Sequence, residues 1–358
     1  MRVLMTADNL GGVWTHALDL VRGLAPLGAE VSLAVMGDPL TDEQRAELDR
    51  TPLEAWQARE CRLEWMPDPW DDVDRSGEWL REVAARVRPE IVHVNGYAHA
   101  ALGWDAPVVL GAHSCVVSWW RAVKGAVPVE DLGEYVRRAT AGLRAAAVVV
   151  APTRWMLRSL AHSYGFAGRG EVVPNGRGGT FTPHEKEPLV VTIGRVWDEA
   201  KNVAALDAIA AGLPCEVVVV GSGVHPATGG AGMSDPRHVG RKRPHEIAEL
   251  LGRAAIFAEP ARYEPFGLAA LEAGLAGCAL VLGDIPSLRE VWADAATFVD
   301  PEDRDALRAV LARLVADPEE CRLRGYRARQ RAMTFTLDRM AAGYEELYAS
   351  VAREPVAS

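Results

Sequence analysis

Glu264 and Glu272 bracket a stretch whose residue types could do chemistry. Between them Pro265 and Gly267 are turn residues, which give way to LeuAlaAlaLeuGluAlaGly, a run of helix formers with an apolar stripe. The pattern predicts a loop that becomes a helix near Phe266. The first-turn amides of Phe266, Gly267 and Leu268 would then aim N–H groups at one spot, which suits a phosphate or an electron-rich sugar oxygen. Glu264 lies just before that start and Glu272 about two turns into the helix, so the pair can reach different parts of an extended ligand. Two cations stand upstream. Gly194-Arg195 closes an apolar run and Lys201 follows it in the same loop; a guanidinium can grip phosphate oxygens as a fork and an ammonium as a point charge. Near the N-terminus, Gly11-Gly12 separates a strand-like run from a helical one, and two residues without Cβ let a pyrophosphate approach the backbone. Each feature is common on solvated surfaces, and spacing alone favours a surface role for every one of them.

The elements that must position these groups alternate between strand and helix. In the first half, strands are expected at ArgValLeuMetThrAla, at 30–35, 90–95, 107–113 and 145–152, with helices over 14–24, 78–87 and 154–164. The polar, Pro- and Trp-rich region 37–77 reads as short elements and loops. In the second half, strands are expected at 189–195, 215–223, 278–283 and 296–300, and a further one delivers Glu264. A loop is expected at 224–236 and a short strand and turn at 237–243, while the tail 303–353 reads as helical. Such alternation implies α/β layers around parallel sheets, whose ligands sit beyond the carboxyl ends of the strands. His113 falls at such an end. Trp119 and Trp120 follow it, and their amphipathic rings could form an acceptor platform or simply pack in a core.

At 358 residues the chain suits two domains, and its 49% hydrophobic content supplies two cores. We expect a first domain over 1–174, a linker over 175–188 rich in Gly, Pro and charge, and a second domain over 189–339. A formal charge of −10 disfavours nucleic acid or an anionic membrane as a nonspecific partner. The five scattered cysteines include no Cys-x-x-Cys pair, which argues for reduced thiols in the cytoplasm and against a thiolate metal site. No apolar run reaches the ~20 residues of a spanning helix.

GluProPheGly with an AlaLeuGluAla helix resembles the signature of the retaining glycosyltransferases of family 4, and Tyr263 and AspIleProSerLeuArgGluVal at 284–291 extend the match. Gly194-Arg195 with Lys201-Asn202 is similar to that family's diphosphate clamp, AlaHisSer around His113 to its histidine near the sugar and acceptor, and Gly11-Gly12 to its glycine pair. The resemblance implies the GT-B fold: two Rossmann-like domains facing across a cleft, with a C-terminal helix, about 340–358, crossing back onto the first. It implies a hexose moved from a UDP- or GDP-linked donor to a hydroxyl acceptor with retained configuration. Glu272 would bind the ribose, and Glu264 with the amides of Phe266, Gly267 and Leu268 the transferred sugar. Arg195, Lys201 and His113 would serve the reaction, with no cofactor and no metal. A nucleotide-sugar epimerase or sugar phosphorylase on the same fold, or a noncatalytic sugar-nucleotide sensor, are the alternatives.

Overall fold

A computed structural model describes residues 1–178, 181–225 and 235–353 of the chain. Most of the loop expected at 224–236, and Gly179 and Thr180 of the expected linker, lie outside the described residues. Two compact units emerge. Met1–Arg121, Gly125–Gly176 and Leu337–Ser358 form the first, and Ala122–Lys124 with Arg177–Thr336 the second.

The first unit is built on strands β1 (Arg2–Asp8), β2 (Glu30–Gly37), β3 (Ala55–Glu60), β4 (Ile91–Val94), β5 (Val108–Gly111), β6 (Val148–Ala151) and β7 (Gly170–Val172). All pair in parallel, in the order β3-β2-β1-β4-β5-β6-β7. The order reverses between β1 and β4. Its helices are α1 (Gly12–Leu24), α2 (Asp42–Arg50), α3 (Trp70–Val87), α4 (Val116–Lys124), α5 (Val129–Ala145) and α6 (Arg154–Tyr164). A strand buried on both faces needs a run of apolar side chains, and Val3-Leu4-Met5 of β1 supplies it. Val3 and Met5 enter the core beneath α1, and Leu4 enters the opposite one with Ala34, Leu80 and Val83.

In the second unit β8 (Glu187–Ile193), β9 (Glu216–Val220), β10 (Ala254–Glu259), β11 (Ala279–Gly283) and β12 (Thr297–Val299) form a parallel sheet in the order β12-β11-β10-β8-β9. Helices α7 (Val203–Ala210), α8 (Pro244–Arg253), α9 (Leu268–Leu275), α10 (Pro286–Trp292), α11 (Arg304–Ala316) and α12 (Pro318–Ala332) accompany it. The last helix, α13 (Leu337–Val351), belongs to the first unit and packs on α1. Met340, Tyr344, Leu347, Tyr348 and Val351 are its buried face. At about 1.5–3 kcal/mol for each large apolar side chain, that face is enough to hold the C-terminal segment there.

Two expectations need correction, the start of α3 and the strand at 237–243. Region 37–77 holds short elements and loops as expected: Thr41 and Gln44 cap α2 reciprocally, and Ala55–Glu60 joins the sheet edge as β3. A half-exposed edge strand needs no apolar run, so AlaTrpGlnAlaArgGlu hid the signal. Helix α3 begins at Trp70 rather than Glu78, helped by Asp71 and Asp72 at its positive end. Residues 237–243 form no strand; a single bridge joins His238 to Val219. Among the described residues no helix is long and apolar enough to cross a membrane.

Candidate active site

The second unit gathers its charged groups at the carboxyl ends of β8 and β10. After β8 the chain turns at Gly194, and the backbone of Gly221 approaches so closely that a Cβ there would stand 1.7 Å from the Gly194 oxygen. Only glycine fits. Asp198, buried at 4% exposure, then organises the loop: one oxygen accepts from the amide of Ala200 at 3.0 Å, and the other from Arg195 at 2.6 Å. The Arg195 guanidinium also lies over the Trp197 ring. Asn202 has a left-handed φ of 53° and is locked by Nδ2 bonds to the carbonyls of Pro260 and Pro301. That anchor aims Lys201 inward.

Lys201 donates to Glu259 Oε1 at 2.7 Å and to Glu264 Oε2. Burial alone would discharge its ammonium, but Glu259 and then Glu264 hold it, and the balance lies above the ordinary lysine range. The other Glu264 oxygen accepts from the amides of Phe266 and Gly267 at 3.3 and 2.9 Å. Burial pushes the Glu264 carboxyl up, and Lys201, the Phe266 amide and Arg195 together outweigh it, so the net shift is downward. Two of the three amides expected to await a ligand are thus engaged by Glu264 itself. Gly267 caps α9 with φ 89°, a conformation that strains any residue with a Cβ. Ser287 at the start of α10 donates to the Glu264 carbonyl at 2.6 Å, which gives the 284–291 segment a physical role.

Glu272 sits in the second turn of α9, 9% exposed, and pairs with Arg177 at 2.6 Å. Arg177 lies where a linker was expected, and nothing local in the sequence marks it. The structure therefore brings Lys201, Arg195, Glu264, Phe266 and Gly267 into one linked group, with Glu272 further along the same helix. Asp198, Glu259 and Arg177 are the partners that the motif reading missed. Among the described residues, Asp207, Asp235 and His238 form a group with the donor types of a metal site. Both oxygens of Asp235 already face Arg237.

In the first unit, Gly11 caps α1 with φ 95°, and Gly11 and Gly12 are exposed just past β1. His113 lies beyond β5, half-buried, with its ring 4.4 Å from that of His16. Its Nε2 meets Asn95 Oδ1 at 2.8 Å. Asn95 gives its own N–H to the Thr6 carbonyl at 2.6 Å, so Oδ1 must accept, and His113 carries its proton on Nε2. Nδ1 keeps a lone pair. Burial and then His16 hold His113 well below the ordinary range, in the neutral form. His93 bonds Tyr348 at 2.6 Å and stacks on Tyr344, which makes it part of the floor. Trp119 and Trp120 form an edge-to-face pair on α4 at 5.6 Å. A cavity of about 50 Å³ opens where the strand order reverses, lined by Thr6, Asp8, Glu64, Asn95 and His99 among others; neither tryptophan lines it.

Burial, followed by the neighbouring histidine, lowers both His16 and His93 to about 3. An unfolded histidine titrates near 6.5, so the stability linked to these neutral rings is fully present above about pH 6.5 and is lost as pH falls toward 3. Each should contribute up to about 1.4 kcal/mol per pH unit in that window. Urea midpoints from pH 7 to pH 4 should accordingly fall less steeply in His93→Gln than in the wild type. Equal slopes would contradict a buried neutral His93.

Residues 10–177 match the family model described as Glycosyltransferase Family 4, and residues 181–331 that described as Glycosyl transferases group 1. A stretch of 116 residues is 36% identical to alpha-maltose-1-phosphate synthase of Mycolicibacterium smegmatis, and spans 30% of this chain and 30% of that relative. The sucrose-phosphate synthase of Thermosynechococcus elongatus superposes with a TM-score of 0.77 at 20% identity, covering 98% of both chains. Anabaena HepE in complex with UDP-glucose does so with a TM-score of 0.74 at 15% identity, over 98% of this chain and all of that one. Paired parallel sheets of this topology and two successive family matches over nearly the whole chain make it a glycosyltransferase of the family 4 type, with the GT-B fold.

Proposed function

We propose that this enzyme moves a hexose from a UDP- or GDP-linked donor to a hydroxyl acceptor with retention, by a front-face route and without a metal. The second unit would take the donor: Arg195 and Lys201 the diphosphate, Glu272 the ribose hydroxyls, and Glu264 with the α9 start the hexose. The first unit would take the acceptor near His113, whose free Nδ1 can accept from a hydroxyl, with Gly11 and Gly12 as the glycine pair met by the donor. Trp119 and Trp120 are the proposed acceptor platform.

The observation that favours a front-face route over double displacement is the state of Glu264. One oxygen is held by Lys201 and the other by two amides, and a carboxylate bonded at both oxygens is a poor nucleophile. In the proposed step the anomeric carbon's bond to the diphosphate oxygen breaks while its bond to the acceptor oxygen forms on the same face. The acceptor proton passes to the leaving diphosphate. Fixed cations stabilise charge on that group most when they are already in place. Proton NMR of fresh product should show the donor's anomeric configuration, and a chelator should leave the rate unchanged. Inversion would rule out the route, and loss of activity restored by a divalent ion would rule out metal independence.

A further inference from the structure

Beneath Lys201 lies a second carboxylate that the donor reading leaves unused. Glu259 closes β10, is 1% exposed, and meets Lys201 at 2.7 Å through Oε1. Its Oε2 is buried with no hydrogen-bond partner. A carboxylate oxygen left unpaired in the interior is costly, and a site that keeps one invites a functional explanation. Charge makes the point sharper. Lys201 faces Glu259 and Glu264, one positive charge against two negative, and Arg195 is matched by Asp198. With every group ionised, the cluster meant to receive a diphosphate would carry a net negative charge.

We propose that Glu259 is a positioning residue that holds the Lys201 ammonium from below and takes up a proton when a diphosphate binds, so that the charge of the ammonium is left to face the anion. This role rests on the donor reading above. Protonation leaves the Lys201 contact to Oε1 in place and removes the surplus charge that would repel the ligand. Burial drives the Glu259 carboxyl up, Lys201 pulls it back, and Glu264 and Asp198 push it up again; it comes to rest at about 7. The exchange is therefore set for neutral pH.

The test compares wild type with Glu259→Gln, which keeps the shape and the contact oxygen but cannot ionise. Calorimetry from pH 6 to pH 8 would use whichever of UDP, GDP and ADP binds the wild type most tightly. The ligand's own titration is common to both proteins and cancels in the comparison. Wild-type affinity should fall about tenfold more than the variant's over this range, and wild-type binding should take up protons that the variant does not. A purely structural Glu259 would shift both curves without changing their relative slope. A ligand-free readout accompanies it. Because the folded value lies above that of an ordinary glutamate, the stability Glu259 contributes is complete below about pH 4.5 and lost as pH rises through about 7. The Tm difference, wild type minus variant, should decline across that window. Parallel affinity and stability curves would overturn the role of Glu259 alone; failure of all three nucleotides to bind the wild type would overturn the donor reading and this role with it.

Discussion

Lys201→Ala is expected to lower turnover by about 10²–10³-fold, the usual loss when one preorganised charge-stabilising donor is removed. The deficit should lie in kcat, because the ammonium matters most as charge builds on the departing diphosphate. Stability should suffer as well. Glu259 and Glu264 would be left as two buried carboxylates without their counter-ion, and breaking a buried pair costs about 3–5 kcal/mol unless one of them takes a proton. Thermal unfolding must therefore accompany the kinetics. A folded Lys201→Ala protein with near-normal kcat would remove the ammonium from the mechanism.

Glu264→Ala should cost at least about 10²-fold, for a different reason. Glu264 is the common acceptor for Lys201 and for the amides of Phe266 and Gly267. Its loss frees those amides and lets Lys201 turn wholly toward Glu259. Groups that act as a unit give non-additive losses, so the double variant Lys201→Ala/Glu264→Ala should be little worse than the poorer single variant. Losses that multiply in a full double-mutant cycle would mean the two residues act independently.

How much of this was legible in the sequence depends on whether the signal was local. GluProPheGly followed by helix formers declares a helix start wherever it occurs, and that start is found at Leu268. The Arg195 and Lys201 turn follows a buried strand with glycine at its end, another local pattern. The missing partners are products of topology. Glu259 reads as the polar end of an apolar strand, and only the pairing of β10 with β8 brings it under Lys201. Asp198 looks like one more acidic loop residue until it is seen to bond Arg195 and the turn at once. Arg177 sits in a Gly-rich stretch far along the chain from Glu272. The tyrosines of α13 were readable as a candidate segment, but their contacts with His16 and His93 join positions from opposite ends of the sequence.

The most direct measurement is a crystal structure with an intact nucleotide-sugar donor. The account predicts diphosphate oxygens within hydrogen-bond distance of Lys201 Nζ and the Arg195 guanidinium, with the ribose hydroxyls on Glu272. A diphosphate bound away from Arg195, with Lys201 still shared between Glu259 and Glu264, would contradict it.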